Sequence, residues 1–358
     1  MAEIERAGSG LHALGVAIAD PFPDTRADLE SRVVAGMHGT LRFTFADPAR
    51  ATDVRASFPW AERLVVGAWS YLPQAGDPGP AVPGTGRVAR FATEDHYRGL
   101  RGSLAEIAGV LQAAGHRAEV LVDDSRLVDR AAAVRAGVGW WGKSAMVLAP
   151  GAGPWILLGS VATDAVLEPT SHQDRTCGTC VACMPACPTG AIVAPGILDA
   201  RRCIAHWLQA PGVIPPAIRP AVGDRIYGCD DCLDACPPGI RLRDTAPAGV
   251  GRVDLVAVLQ ADDASLLRRF EHWFVPRRQA RFIRRNALVA LGNAGGRDSV
   301  AVAAGYLGHP DWLLRAHAAW CLGRLGGPIA RAALEARIPL ERDRIVVEEI
   351  AAARGTLG

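Results

Sequence analysis

The sequence predicts an α+β protein in three parts, and three observations predict it. Short apolar runs mix with a strongly periodic segment through the first 165 or so residues, eight of the nine cysteines crowd between Cys177 and Cys236, and two stretches near the C-terminus repeat at a spacing of 31 residues. The divisions fall at 1–168, 169–246 and 247–358.

In the first part, Leu64–Trp69 (LVVGAW), Ala118–Val122 (AEVLV), Met146–Leu148 and Trp155–Leu158 have the length and apolar content of strands. Leu100, Leu104, Ile107, Ala108 and Leu111 recur at three- and four-residue intervals, which predicts a helix over Leu100–Ala114 with one buried face. The Pro and Gly content of QAGDPGPAVPGTG marks 74–86 as a loop. This part is a mixed α/β domain.

In the second part the cysteines run Cys177-x-x-Cys180-x-x-Cys183-x-x-x-Cys187-Pro188 and Cys229-x-x-Cys232-x-x-x-Cys236-Pro237, with Cys203 between. A segment so poor in long apolar runs needs ligation to hold it. Each four-iron cluster takes four thiolates, and Cys203 supplies the one that the second run lacks, so the count closes on two 4Fe–4S clusters. In the bacterial-ferredoxin pattern three close cysteines hold one cluster and the cysteine before Pro crosses to the other. That assigns Cys177, Cys180, Cys183 and Cys236 to one cluster and Cys187, Cys203, Cys229 and Cys232 to the other, in a ferredoxin-like two-cluster domain. Paired Cys-x-x-Cys also suits tetrahedral zinc, but a zinc knuckle has no use for a third cysteine three residues on.

In the third part, Arg284–Gly292 (RRNALVALG) and Arg315–Gly323 (RAHAAWCLG) each predict a short amphipathic helix ending in its Gly, the pattern of HEAT-like repeats that must pack on a neighbour to be stable. Cys321, on the apolar face of the second, is expected to be a small buried hydrophobe.

Composition bounds the function. Hydrophobic residues at 49% and charged residues at 21% exclude a disordered chain. The longest apolar stretches, such as Gly153–Val161, fall well short of the ~20 residues of a membrane span. The start, MAEIERAGSG, has no basic segment followed by an apolar one, so no secretory signal is expected and the cytoplasm is the expected compartment. Of 39 basic residues only Lys143 is lysine, and the net charge is +2, so any affinity for nucleic acid must come from local clustering.

The segments CGTCVACMPACPTGAI (Cys177–Ile192), LDARRCI (Leu198–Ile204) and GDRIYGCDDCLDAC (Gly223–Cys236) together resemble the epoxyqueuosine reductases, cobalamin-dependent enzymes of tRNA queuosine synthesis. RAGVGWWGKS (Arg135–Ser144), RRNALVALGN and, more loosely, GMHGTLRF (Gly36–Phe43) are similar to the same family, so the resemblance runs over nearly the whole chain. It implies that the first domain binds cobalamin base-off, that electrons reach it through two 4Fe–4S clusters, and that the epoxide of epoxyqueuosine at the tRNA wobble position is reduced to the cyclopentene of queuosine. The family's proton donor is an Asp seventeen residues before the Trp of its Gly-Trp-x-Gly-Lys motif; here that Trp is Trp140 and the Asp is Asp123. Partial burial that raises a carboxyl's pKa suits this role. On its residues alone, Asp123 would be a strand-end cap after AEVLV. The resemblance carries Lys143, Val147, Leu158, Arg50 and Ala205 over, with Asp123, as cobalamin-binding positions. It further implies a tRNA anticodon stem-loop as partner, a low-potential electron donor such as ferredoxin or flavodoxin, no membrane and a monomer.

Three departures fall at the substrate mouth. Asp123-Asp124-Ser125-Arg126 stands where the family reads Asp-Ser/Thr-Ala-Pro, and a second carboxylate beside the first would raise it further. AHWLQAPG follows Ile204, one residue shorter than in the family, and His96-Tyr97-Arg98 replaces Asp-Tyr-His. Arg268–Arg285 holds seven Arg and one acid, Glu271, with Phe270, Trp273, Phe274 and Phe282 interleaved. That composition suits salt-dependent RNA contact, against the alternative of a solvated helix face over an aromatic core. Two rival functions stay open: a cobalamin and iron–sulfur reductase of another electrophile, as in reductive dehalogenases, and a non-catalytic iron–sulfur electron carrier or scaffold.

Overall fold

The structure, a computed structural model, describes residues 1–75, 77–246, 251–296 and 299–357. The chain forms two compact units, each interleaved along the sequence. The first comprises Met1–Gly76, Glu94–Cys203 and Asp230–Pro247; the second comprises Asp77–Thr93, Ile204–Cys229 and Ala248–Gly358. This partition differs from the linear one: the cysteine-rich stretch is shared between the units, and the expected boundary at 247 falls where 247–250 lie outside the described residues.

The first unit is built on a four-stranded antiparallel sheet in the order Ala13–Ile18, Arg63–Ser70, Ile156–Thr163, Ala118–Leu121. Arg63–Ser70 and Ala118–Leu121 lie where the apolar runs predict them. Ile156–Thr163 extends five residues beyond its expected end, and Ala13–Ile18 was not anticipated. The expected helix spans His96–Ala113 and buries Leu100, Leu104, Ile107, Ala108 and Leu111. Leu64, Val66, Leu121, Leu127, Ala132 and Val147 share one core. Of the loop expected over 74–86, Gly76 lies outside the described residues, Gln74 and Ala75 end a short helix, and Thr85 and Gly86 begin a strand.

Where the helix Pro237–Asp244 begins, two glycines allow the chain to touch. Gly153 has φ +59°, and a Cβ there would lie 2.6 Å from the backbone N and Cα of Gly239; beside it Trp155 Nε1 donates to Gly239 O at 3.2 Å. Gly153→Ala adds left-handed strain to a backbone collision, so we expect a loss of about 2 kcal/mol or more. Because Gly239 follows Cys236 by three residues, iron content should fall with stability, and iron analysis beside urea unfolding checks both.

In the second unit, Thr85–Val88 lies between Arg225–Tyr227 and Arg252–Asp254 in a three-stranded sheet, and helices follow. The repeated stretches lie in two 14-residue helices, Arg281–Ala294 and Trp312–Leu325. Their glycines do not end the helices as expected. Gly292 and Gly323 sit inside them at crossings: a Cβ would lie 3.1 Å from Cys321 Cα in the first case and 2.9 Å from Ala353 Cα in the second. Small size, not turn geometry, is what the repeat requires there. Cys321 is fully buried in this core.

Equivalent positions of the two repeats serve equivalent ends. Arg284 pairs with Asp263, and Arg315 with Glu341 at 2.8 Å. Asn286 donates to the carbonyls of Leu208 and Ile226, while His317 Nε2 accepts the Ile214 N–H at 3.3 Å and Nδ1 donates to Leu313 O at 2.7 Å. Burial, with Arg219 and Arg285 nearby, holds His317 well below the ordinary histidine value of 6.5. As pH falls through 6.5 the unfolded chain therefore takes up a proton that the folded one does not, and stability falls with it, by up to ~1.4 kcal/mol per pH unit once that uptake is complete. Urea unfolding between pH 7.5 and 5 should show that slope, reduced by about one proton in His317→Gln.

Candidate functional site

The first unit gathers one predicted thiol set. Cys236 is buried against Trp140 and Leu148, with Cys177 packed on the same patch. Burial pushes the Cys236 thiol up to about 12, and the neighbouring Cys177, Cys183 and Cys180 add to the rise. The short helices Cys183–Ala186 and Asp231–Asp234 pack together, which brings the two cysteine runs side by side. Cys236 is thus placed with the first three cysteines, across some fifty residues of chain. Arg175 lies over the Trp140 ring at 5.5 Å, so the first Trp of the GWWGK motif is a wall of the thiol nest.

Of the second set, Cys187, Cys203 and Cys232 are half-buried residues of the first unit, while Cys229 ends the segment Ile204–Cys229 of the second. The backbone turns over Cys187: the Ala191 N–H donates to its sulfur at 3.1 Å, and these N–H donors, outweighing burial, lower its thiol. Backbone N–H groups aimed at a sulfur suit a thiolate that carries charge. None of the eight cysteines is in a disulfide. Among the described residues, no three His, Cys, Asp or Glu converge as ligands of one metal ion.

Lys143 stands at this nest. It lies in the turn between Trp140–Trp141 and Val147–Leu148, and its Nζ donates to Gly178 O at 2.6 Å. Val147 is buried across from Trp141, and Leu158 pairs with Ala68 in the sheet; both border the same core.

Asp123 follows the edge strand Ala118–Leu121 and takes the left-handed conformation, φ +52°, which Asp tolerates better than most residues. Burial raises its carboxyl, Arg101 opposes that rise and Asp124 adds to it. Around it stand Tyr97, Asp129 and Arg130. Burial is the largest influence on each: it raises the Tyr97 hydroxyl, raises the Asp129 carboxyl well above its ordinary range and lowers the Arg130 guanidinium. Asp123 and Asp129 both act on Tyr97, and Arg101 lies over the Tyr97 ring at 5.4 Å. Asp123 and Arg130 nevertheless keep exposed surface, and Tyr97 and Asp129 are half-buried, so these crowded groups line an open hollow. Asp129 Oδ1 is buried there without a hydrogen-bond partner.

The second carboxylate is compensated locally. Asp124 accepts from Arg126 Nε at 2.9 Å and Nη2 at 2.6 Å, which holds it low, and Arg126 also covers the Phe58 ring at 4.8 Å. The Arg that replaces the family's Pro thus neutralises the extra Asp. Arg50 is near enough for its charge to act on Asp124, and its Nε donates to Ser57 Oγ at 2.9 Å. Ala205 is a half-buried residue of the second unit. His96 is buried beside Tyr71, and Arg98 is exposed.

The Arg-rich stretch divides. Arg278 donates to the carbonyls of Leu267, Glu271 and Trp273, Arg281 pairs with Asp311 at 3.2 Å, and Arg284 and Arg285 are buried. Phe270, Trp273 and Phe282 belong to the core, so that much of the stretch is structural. Arg268, Arg269, Arg277 and Phe274 remain on the surface.

Comparison with known proteins adds two domain matches and a set of relatives. Residues 176–239 match a 4Fe-4S double cluster binding domain, and 279–354 match HEAT repeats. The chain is 34% identical to the epoxyqueuosine reductase of Xanthomonas campestris over 85% of its length and 89% of that protein. It is 34% identical to that of Pseudomonas aeruginosa over 88% of its length and 91% of that protein. Its fold matches an epoxyqueuosine reductase solved with an epoxyqueuosine-modified tRNA stem loop, at a TM-score of 0.91 and 28% identity over 99% of this chain and 98% of that one. It matches the Bacillus subtilis epoxyqueuosine reductase at 0.89 and 27% identity over 100% of this chain and 98% of that one. Among the described residues no helix is long and apolar enough to cross a membrane.

Proposed function

Since the chain belongs to the epoxyqueuosine reductase family and is an oxidoreductase, we propose that it reduces epoxyqueuosine in the anticodon stem-loop of tRNA to queuosine, with Asp123 as proton donor. The observation that carries this reading is that one unit holds both a carboxyl kept toward its acid form and a nest of four thiols.

When bound, two 4Fe–4S clusters and a cobalamin would supply low-potential electrons and a reduced cobalt nucleophile. The thiol chemistry fits the clusters: Cys177, Cys180, Cys183 and Cys236 would hold one, and Cys187, Cys203, Cys229 and Cys232 the other. The hollow fits an amide-rich corrin, because the unpaired Asp129 oxygen asks for a polar partner and Val147 and Leu158 border an apolar core. Val147, Leu158, Arg50 and Ala205, with Asp123 and Lys143, are the positions we assign to it.

Converting an epoxide to an alkene consumes two electrons and two protons and releases water. The opening oxygen develops negative charge and needs a proton at that moment. A carboxyl raised by burial holds that proton nearer to neutral pH than a free aspartate does. Arg126 keeps Asp124 ionised, which leaves Asp123 as the acid of the pair. Arg268, Arg269, Arg277 and Phe274 are the surface we assign to RNA. The donor is a small low-potential protein of the ferredoxin or flavodoxin type, and the chain acts as a monomer. Nucleoside analysis of tRNA from a strain lacking this gene tests the reading: epoxyqueuosine should accumulate and disappear on complementation, and unchanged queuosine would overturn it.

A further inference from the structure

We propose that Lys143 is a positioning residue of the first thiol nest, setting the reduction potential of the centre held there by fixing a positive charge against the loop Cys177–Cys183. The inference rests on the cluster assignment above and goes beyond it.

The composition points to this residue first. Wherever else the chain needs a basic side chain it uses Arg, and Lys143 alone departs from that habit. The geometry then shows what the departure achieves. Lys143 Nζ donates to Gly178 O at 2.6 Å, between Cys177 and Cys180, while Lys143 O accepts the Gly196 N–H at 2.9 Å from the turn of the hairpin Ile192–Leu198. One residue thus ties the cluster loop to the hairpin that separates Cys187 from Cys203. The target is a single carbonyl at the end of a reach along the loop. An ammonium meets it as a compact point charge, whereas a guanidinium would bring a planar fork of five donors to one acceptor.

The charge is felt by the nest, since Lys143 is among the groups that act on the Cys183 thiol, in the direction that favours the thiolate. A cluster that accepts an electron becomes more negative by one unit. A fixed cation beside it stabilises the reduced form and raises the midpoint potential. Lys143 is half-buried, so solvent screens the interaction only in part. Cys187 of the other set is governed instead by backbone N–H donors from Thr189, Ala191 and Ile192. The effect should therefore fall on one of two clusters.

The test is an EPR-monitored redox titration of reconstituted full-length protein, with iron content measured on the same samples. Lys143→Met keeps the stem and removes the charge; one cluster's midpoint should move to lower potential while the other stays. Lys143→Arg restores the charge and should return most of the shift. Unshifted midpoints in Lys143→Met at full iron content would overturn the proposal. So would Lys143→Arg shifting as far as Lys143→Met, a comparison available from Lys143→Arg and wild type even if Lys143→Met loses a cluster, because a charge-preserving variant should then lie near wild type. Wild-type protein that takes up fewer than two clusters would instead count against the cluster assignment, leaving the two failures distinct.

Discussion

Asp123→Asn should lower the single-turnover rate of epoxide reduction by about 10²–10⁴-fold, the span that general acid catalysis contributes. Asn tolerates the left-handed backbone that Asp123 adopts at φ +52°, and it fills the same volume, so the loop should keep its shape. Iron content and thermal stability should match wild type. What is lost is the proton. Because burial raises the Asp123 carboxyl above its ordinary range, the wild-type rate should fall with increasing pH as this group ionises, and the dependence should vanish in the variant. Arg126→Ala probes the same site from the other side: freeing Asp124 from its partner changes the charge next to Asp123 and should displace the alkaline limb without abolishing turnover. A rate for Asp123→Asn within ten-fold of wild type would remove Asp123 from the mechanism.

Arg285→Met should cost about 3 kcal/mol of stability, read as a lower urea midpoint at unchanged slope. Arg285 is fully buried, and its guanidinium donates to the carbonyls of Trp207, Ala210 and Gly212 at 2.9, 2.8 and 2.6 Å. Those carbonyls lie in and just beyond the last turn of the helix Ile204–Gln209. A helix C-terminus carries unsatisfied oxygens and partial negative charge, which is how a buried cation is accommodated there. Burial with Arg281 and Arg219 nearby still lowers its pKa to about 9. Removing the side chain relieves its own desolvation but strands these three backbone oxygens and Asn286 Oδ1, and the oxygens dominate. Arg285→Lys, a point charge that cannot span all three, should recover only part of the loss.

Much of this was legible in the residues, and the gaps have physical reasons. The cysteine spacing pointed to the 4Fe-4S double cluster binding domain that residues 176–239 match, because ligation is local chemistry written at fixed intervals. The periodicity of Leu100 to Leu111 carried the helix because burial imposes it. The same periodicity says nothing of the polar side, so Arg101, one turn beyond Tyr97 on that helix, gave no signal of the hollow it lines. Asp129 and Arg130 lie in no motif that would single them out. The pairing of Asp124 with Arg126 had no signal in the residues because it depends on the turn that brings the two side chains together. Gly292 and Gly323 suit a helix end and a close crossing equally, and only the neighbouring helix decides which. In the Arg-rich stretch, charge alone could not separate Arg285, which holds carbonyls, from Arg277, which faces solvent.

The interleaving of the two units bears on how the protein is made. The strand Thr85–Val88 has its partners at Arg225–Tyr227 and Arg252–Asp254, about 140 and 165 residues later. At ~5–20 residues per second, a ribosome exposes that strand unpaired for roughly 10–30 s, an interval in which chaperones and proteases compete for it. The repeats therefore cannot be trimmed off as a separable tail: a chain stopped before Arg252 would leave Thr85–Val88 paired with Arg225–Tyr227 on one edge and with no partner on the other. Gene fragments meant to yield a minimal cluster domain should be judged against that dependence before they are expressed.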